Sequence, residues 1–195
     1  MSRNPKVPNF VIVVFPPKKV IQSINKLKEK NVDKKYSPSL SFPIKLYDFP
    51  HLTVKRKFVL KPGIVENQII HLIESVLENF PILELETDKI KLFKKPDKNT
   101  VYLQIKNNPK LSRLVNEIQR VLKPTTTTYE PTLDANFSPH LSILWQISDE
   151  ELAQVERIFE EDTPIFKFEM DKFYLLKSSK KFGGYRELAH IFNLM

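Results

Sequence analysis

The chain of 195 residues contains no cysteine, only three glycines and no long hydrophobic run. Without cysteine it can form neither disulfides nor thiolate metal sites. Three glycines are too few for the glycine-rich phosphate loop of Walker-type ATP-binding proteins. No apolar segment approaches the roughly 20 residues of a membrane helix, and the N-terminus lacks the apolar core and cleavage site of a signal peptide. These absences predict a cytoplasmic protein with no membrane partner.

Positive charge is in excess, with 31 basic against 23 acidic residues and a net charge of +8. Basic side chains gain affinity for polyanions by releasing counterions from phosphates. A lysine-rich solvated surface gives the same net charge, so charge alone leaves both interpretations open. The lysines of segment 18–30 are expected to form such a solvated face on a helix.

A five-residue pattern of proline, histidine, leucine, a hydroxyl residue and a β-branched residue occurs twice. It reads PHLTV at residues 50–54 and PHLSI at residues 139–143. Because side chains i and i+2 of a strand share a face, His51 is expected beside Thr53 and His140 beside Ser142. Each copy then presents a proton-transfer group and a hydroxyl on one face. The alternative is two buried strands whose histidines only satisfy hydrogen bonds.

Two imidazoles with neighbouring hydroxyls are sufficient for phosphodiester chemistry without a metal. Imidazole titrates near neutrality, so one histidine can be neutral while the other is protonated. The histidine spacings do not match zinc signatures, and no carboxylate cluster accompanies them. The sequence therefore predicts no metal and no cofactor.

The paired motifs resemble the two-histidine (2H) phosphoesterase superfamily, specifically its 2′-5′ RNA ligase-like branch. Residues 136–138 and 100–105 are similar to the lead-in and the mid-chain strand of that branch, and the order of elements fits from about residue 8. The resemblance implies an α+β fold in which a pseudo-symmetric, bilobal pair of antiparallel sheets lines a central cleft, with helices outside. It also implies a cyclic phosphodiesterase that leaves a 2′-phosphate and that could run the reverse, ATP-independent 2′-5′ ligation.

Four residues are the predicted catalytic set: His51 and His140 transfer protons, and Thr53 and Ser142 donate hydrogen bonds to the phosphoryl oxygens. The resemblance makes His140 the base and His51 the acid, although the pseudo-symmetry leaves the reverse assignment open. The expected partner is an RNA terminus or a small cyclic nucleotide, and the expected oligomeric state is a monomer. The competing hypothesis is a non-catalytic RNA- or nucleotide-binding module that uses the same groove.

Three further residues are candidates for substrate binding. Tyr102 lies in the mid-chain strand, where it could stack on a base or pack in the core. Tyr185 and Arg186 lie where the last strand could reach the cleft. Arg186 could pair with a phosphate or form a surface salt bridge. His71 and His190 lack a hydroxyl partner and are interpreted as structural or exposed.

Hydrophobic periodicity outlines the remaining organisation. It predicts strands at 9–15, 51–60, 82–94, 100–106, 139–147, 165–176 and 185–192, and helices at 17–30, 64–80, 111–122 and 148–159. Residues 1–8 are predicted to be a flexible tail, and residues 9–195 a single bilobal domain. Residues 123–138 are predicted to be a long polar loop, a length that is unusual unless the loop is mobile or functional.

Overall fold

The computed structural model describes residues 7–29, 40–96, 98–153, 164–179, 181, 184 and 186–195. The helices are α1 (Lys18–Glu29), α2 (Glu66–Leu77), α3 (Pro109–Leu122) and α4 (Pro131–Ala135), and a 3-10 turn spans Leu46–Asp48. The strands are β1 (Phe10–Val14), β2 (Leu52–Leu60), β3 (Leu83–Phe93), β4 (Asn99–Ile105), β5 (Thr126–Thr128), β6 (His140–Ile147), β7 (Lys167–Met170), β8 (Lys172–Ser178) and β9 (Arg186–Asn193). Most of the predicted tail, residues 1–6, lies outside the described residues.

The strands form one curled antiparallel sheet in the order β7-β3-β4-β6-β2-β1-β8-β9, with β5 pairing on β2. The sheet has two halves of four strands each, β7-β3-β4-β6 and β9-β8-β1-β2, written here from the outer edge to the centre. The innermost strand of each half, β6 or β2, carries one of the two motifs. The two expected sheets are therefore halves of one sheet, which meet at the pair Leu52–Leu141. The predicted α+β class with two pseudo-symmetric halves is confirmed.

The two faces of the sheet have different neighbours. Phe10, Ile12 and Val14 of β1 pack in the main core, to which α2 and α3 contribute their apolar stripes. Val11 and Val13 point to the opposite face, which we call the site face, and join a second cluster with apolar residues of segment 44–49. Burying one such aliphatic side chain contributes about 1.5–3 kcal/mol, so the main core fixes which face each motif presents.

Local signals explain where two helices begin. Asn108 caps α3, because its side-chain oxygen accepts hydrogen bonds from the backbone amides of Lys110 (3.0 Å) and Leu111 (3.1 Å). Ser148 and Glu151 form the reciprocal bonds of a capping box, at 2.7 and 3.1 Å. Residues 149–153 are helical as predicted, and the rest of that predicted helix lies outside the described residues.

Three expectations need correction. The segment predicted as one strand at 165–176 is divided at Asp171 into β7, which pairs with β3, and β8, which pairs with β1. The predicted loop at 123–138 contains β5 and α4. Lys28, expected on a solvated face, is buried, because it continues the apolar stripe of Val20 and Ile24 at helical spacing.

Candidate active site

The register between the motif strands brings their polar side chains together. Leu52 of β2 pairs with Leu141 of β6, and both leucines are buried in the main core. One residue to either side, the histidine of each motif stands opposite the hydroxyl residue of the other, and opposed residues share a face. The structure thus gathers four predicted residues on the site face: His51, Thr53, His140 and Ser142.

Both imidazoles are held in the same way. The Nδ1–H of His51 donates to the carbonyl of Phe49 at 2.8 Å, and the Nδ1–H of His140 donates to the carbonyl of Ser138 at 2.7 Å. Each acceptor lies two residues before its histidine. A carbonyl can only accept, so Nδ1 carries the proton and Nε2 carries the lone pair of each neutral ring. Both histidines therefore present Nε2 for proton transfer.

Burial keeps the imidazole of His51 neutral near pH 7. Its exposed fraction is 5%, and desolvation lowers its pKa from 6.5 to about 4. The hydrogen bond to Phe49 partly opposes this shift, whereas the charges of His140 and Lys28 lower the pKa further. Because Leu52 pairs with Leu141, His51 and His140 occupy diagonal positions across the strand pair, within reach of each other.

His140 is more accessible than His51. Its pKa is also lowered, first by burial and then by the positive charge of Arg56, against the opposing hydrogen bond to Ser138. Arg56 forms an ion pair with Glu130 at 3.5 Å. Lys55 pairs with Ile12, which faces the main core, so the next residue, Arg56, points to the site face, where an anion could contact it.

The two hydroxyls are available to a ligand. Thr53 lies opposite Val13 of β1, and Ser142 lies opposite Tyr102 of β4. Both residues are partly exposed. Within the described ranges, neither hydroxyl has a hydrogen-bond partner. Each hydroxyl can therefore donate to an oxygen atom placed between the motifs.

Aromatic side chains support each imidazole. Tyr102 and Phe93 contact His140 with ring centroids at 5.0 and 5.2 Å, and Phe93 stacks on Tyr102 at 4.1 Å. In the other half, Phe15 contacts His51 at 6.4 Å and Tyr174 at 5.0 Å. These contacts restrict how each imidazole can rotate.

The structure describes two of the three predicted binding residues, and of these two Tyr102 lies beside the motifs. Its exposed fraction is 6%, which favours the packing alternative over base stacking. Arg186 is buried, and its guanidinium donates to the backbone and side-chain oxygens of Asn9 at 3.1 and 2.5 Å. Asn9 lies six residues before Phe15, the neighbour of His51, so Arg186 is roughly 20 Å away along the strand. Tyr185 lies outside the described residues.

Residues that the sequence analysis missed also approach the motifs. The Nζ of Lys28 donates to the carbonyl of Asp48 at 3.3 Å, just before the first motif. Gln104 stands opposite His140, and its buried Oε1 has no hydrogen-bond partner among the described residues. Helical spacing could have found Lys28, whereas Arg56 and Gln104 give no signal without the strand register.

The other two histidines lie elsewhere. His71 and His190 both contact Glu74 of α2, at 3.1 and 3.3 Å, on the helix side of the sheet. Among the described residues, no three His, Cys, Asp or Glu side chains are grouped as a metal site. In the same part of the chain, no helix has the length and apolar character needed to cross a membrane.

The depressed pKa of His51 predicts a pH-dependent stability. Between pH 6.5 and about 4 the unfolded chain binds a proton on His51 that the folded chain excludes, so stability rises with pH across this window. The free energy of unfolding should therefore fall by about 3 kcal/mol from pH 7 to pH 4 through this group. Urea unfolding at a series of pH values measures it.

Two variants isolate the contribution of His51. His51→Asn should remove most of this pH dependence, whatever its effect on stability at pH 7. His71→Asn, at an exposed position on α2, should retain it. An unchanged slope in His51→Asn would show that other groups control acid sensitivity.

Comparisons with known proteins found a matching family model and solved structures of similar fold. A family model described as the 2′-5′ RNA ligase superfamily matches residues 16–181. E. coli LigT complexed with 3′-AMP superposes with a TM-score of 0.63 at 18% identity, covering 97% of this chain and 99% of LigT. TT0787 of Thermus thermophilus superposes with a TM-score of 0.63 at 14% identity, covering 95% of this chain and 97% of TT0787. No curated protein matches the chain.

Proposed function

Because the chain belongs to the 2′-5′ RNA ligase superfamily of 2H phosphoesterases, we propose that it is a metal-independent cyclic phosphodiesterase. The substrate is a 2′,3′-cyclic phosphate on an RNA terminus or a nucleotide, and the product is a 2′-phosphate. The observation that carries the proposal is the pairing of Leu52 with Leu141, which places two histidines and two hydroxyl residues on one face, each histidine opposite a hydroxyl residue. Solved LigT structures with 3′-AMP, NADP+ and ATP support a nucleotide ligand.

The proton affinities of the free protein favour a division of roles. Burial lowers the pKa of His51 to about 4, so this imidazole is neutral near pH 7, whereas the more exposed imidazole of His140 is protonated at a smaller cost in desolvation. Neutral His51 is then the base, and protonated His140 is the acid. This is the reverse of the split that the family resemblance implied. A phosphate anion between the rings stabilises the charge on His140.

The proposed reaction is a single displacement at phosphorus. Water attacks while Nε2 of His51 takes its proton, the bond from phosphorus to the 3′ oxygen breaks, and Nε2 of His140 protonates that oxygen. Thr53 and Ser142 donate to the non-bridging oxygens, where charge increases in the transition state. If the 5′-hydroxyl of a second RNA replaces water, the same step forms a 2′-5′ linkage without ATP.

Turnover of an oligonucleotide that ends in a 2′,3′-cyclic phosphate is the direct test. We expect a 2′-phosphate product and an unchanged rate in EDTA, because the two imidazoles supply both proton transfers. Phosphorus NMR identifies the oxygen that keeps the phosphate. Loss of turnover in EDTA that zinc or manganese restores would replace this mechanism with a metal-assisted one. Tight binding of the oligonucleotide without any turnover would favour the non-catalytic binding module.

A further inference from the structure

Both motif strands contain a β-bulge at the same position. The pairing of β1 with β2 advances from Val13–Thr53 to Ile12–Lys55, which leaves Val54 as the extra residue. The pairing of β4 with β6 advances from Tyr102–Ser142 to Val101–Leu144, which leaves Ile143 as the extra residue. In each copy, the extra residue of the bulge is the β-branched residue that ends the motif. Bulges often redirect side chains beside active sites.

The bulge brings the fifth residue after each histidine onto the site face. Strict alternation from His140 would point Trp145 toward the helices. The shifted register instead places Trp145 opposite Thr100, on the same face as Tyr102 and Ser142. Gln146, with φ of 58°, is the extra residue of a second bulge that follows. The equivalent residue of the first motif is Arg56, whose charge acts on His140.

Trp145 has an aromatic neighbour in the same row of the sheet. Phe93 of β3 stands opposite Thr100 of β4, and Thr100 stands opposite Trp145 of β6. The exposed fractions of Phe93 and Trp145 are 36% and 42%. The ring of Phe93 reaches inward to contact His140 at 5.2 Å. Phe93 and Trp145 are therefore two exposed aromatic residues on either side of Thr100, in the row next to the pair of Tyr102 and Ser142.

We propose that Trp145, with Phe93 beside it, is the platform on which a nucleobase of the substrate stacks. This inference rests on the proposed function, because it locates the base relative to a phosphate held between the histidines. Trp145 lies three residues beyond Ser142, roughly 7–10 Å along the strand, a span suited to one nucleotide. Aromatic rings stack with bases without strong sequence preference.

The asymmetry of the two halves fits an asymmetric ligand. At equivalent positions, one half presents the guanidinium of Arg56 and the other the indole of Trp145. A guanidinium pairs with phosphate oxygens, and an indole stacks on a base. A nucleotide that crosses the site thus meets a cation on one side and an aromatic surface on the other.

The fluorescence of Trp145 reports binding directly, because the chain contains one tryptophan. Titration with adenosine 2′-monophosphate should quench the emission to saturation, whereas ribose 5-phosphate and inorganic phosphate should leave it nearly unchanged. Calorimetry on the same samples measures how much nucleotide is bound. Nucleotide binding without any change in emission, or no nucleotide binding at all, would overturn the platform.

Kinetics with two Trp145 variants provide a second measurement. Trp145→Ala should raise KM for a cyclic-phosphate oligonucleotide roughly 10-fold or more, with kcat within about twofold. Trp145→Phe should recover most of the affinity, because phenylalanine can also stack. Ile82→Ala is the matched control, since Ile82 is similarly exposed (43%) but precedes β3, away from the motifs.

The outcomes separate this inference from the proposed function. Quenching by nucleotide without turnover of any cyclic phosphate would support the platform and reject the phosphodiesterase. Turnover with the same KM in Trp145→Ala as in the wild type would support the phosphodiesterase and reject the platform. An equal rise of KM in Trp145→Ala for ribose 2′,3′-cyclic phosphate, which lacks a base, would also reject it.

Discussion

His51→Ala and His140→Ala should each lower kcat for a 2′,3′-cyclic phosphate by about 10²–10⁴-fold, the range of general acid-base catalysis. Each variant loses the Nε2 atom that takes or gives a proton, while the hydroxyls and Arg56 keep their places. The double variant should lose far less than the product of the two single losses, because residues that act as a unit are not additive. Steady-state kinetics at saturating substrate measure these effects.

The same pair of variants identifies the acid. With a p-nitrophenyl phosphodiester the leaving group needs no proton, so the variant that lacks the acid should regain much of its lost rate. On the division of roles proposed from burial, His140→Ala is rescued and His51→Ala is not. Rescue of His51→Ala alone would restore the split that the family resemblance implied.

His71→Ala and His190→Ala are the matched controls, because both side chains contact Glu74 on the helix side of the sheet. Both controls should retain turnover within about twofold. Near wild-type turnover in His51→Ala or His140→Ala would show that the Nε2 atoms do not carry the reaction.

Local spacing accounts for the parts of the fold that the sequence predicted well. Helix α2 is recognisable because Ile69, Ile73 and Val76 recur on one side, and all three are buried. The motif strands are recognisable because polar and apolar residues alternate. These patterns depend on the backbone repeat of one element, so no knowledge of its neighbours is needed.

Strand pairing explains the residues that the sequence analysis missed. Counting by two from each histidine directs Arg56 and Trp145 toward the helices, and only the bulges at Val54 and Ile143 reverse this. Phe93 reaches His140 because the β3–β4 register sets it in the row of Thr100. Bulges and registers arise from the meeting of two strands, and one strand's sequence does not specify them.

The division of segment 165–176 has the same origin. Its pattern is typical of one continuous strand, yet β7 pairs with β3 at one side of the sheet and β8 pairs with β1 on the other. The chain crosses between the halves once before. Strand β2 lies in one half of the sheet, and β3, the next strand in sequence, pairs with β4 in the other half. The exchange of strands between halves is a property of the assembled sheet.

Removal of either hydroxyl should impair the reaction more than binding. Thr53→Val and Ser142→Ala delete one donor each and leave both histidines intact. Loss of one such donor typically costs about 10²–10³-fold in kcat, and substrate affinity should change little because the donors act most strongly on the transition state. Ser75→Ala on the outer helix α2 is the control, since its hydroxyl bonds to the carbonyl of Leu72.

The ratio of the two effects decides between the hypotheses for this groove. A large fall in kcat with nearly constant Kd means that the hydroxyls stabilise charge as it develops on the phosphoryl oxygens. Weaker binding with unchanged kcat would make them ground-state contacts, as in a binding module. If both variants match the wild type, the hydroxyls only pack between strands, and the repeated motif provides two imidazoles and nothing else.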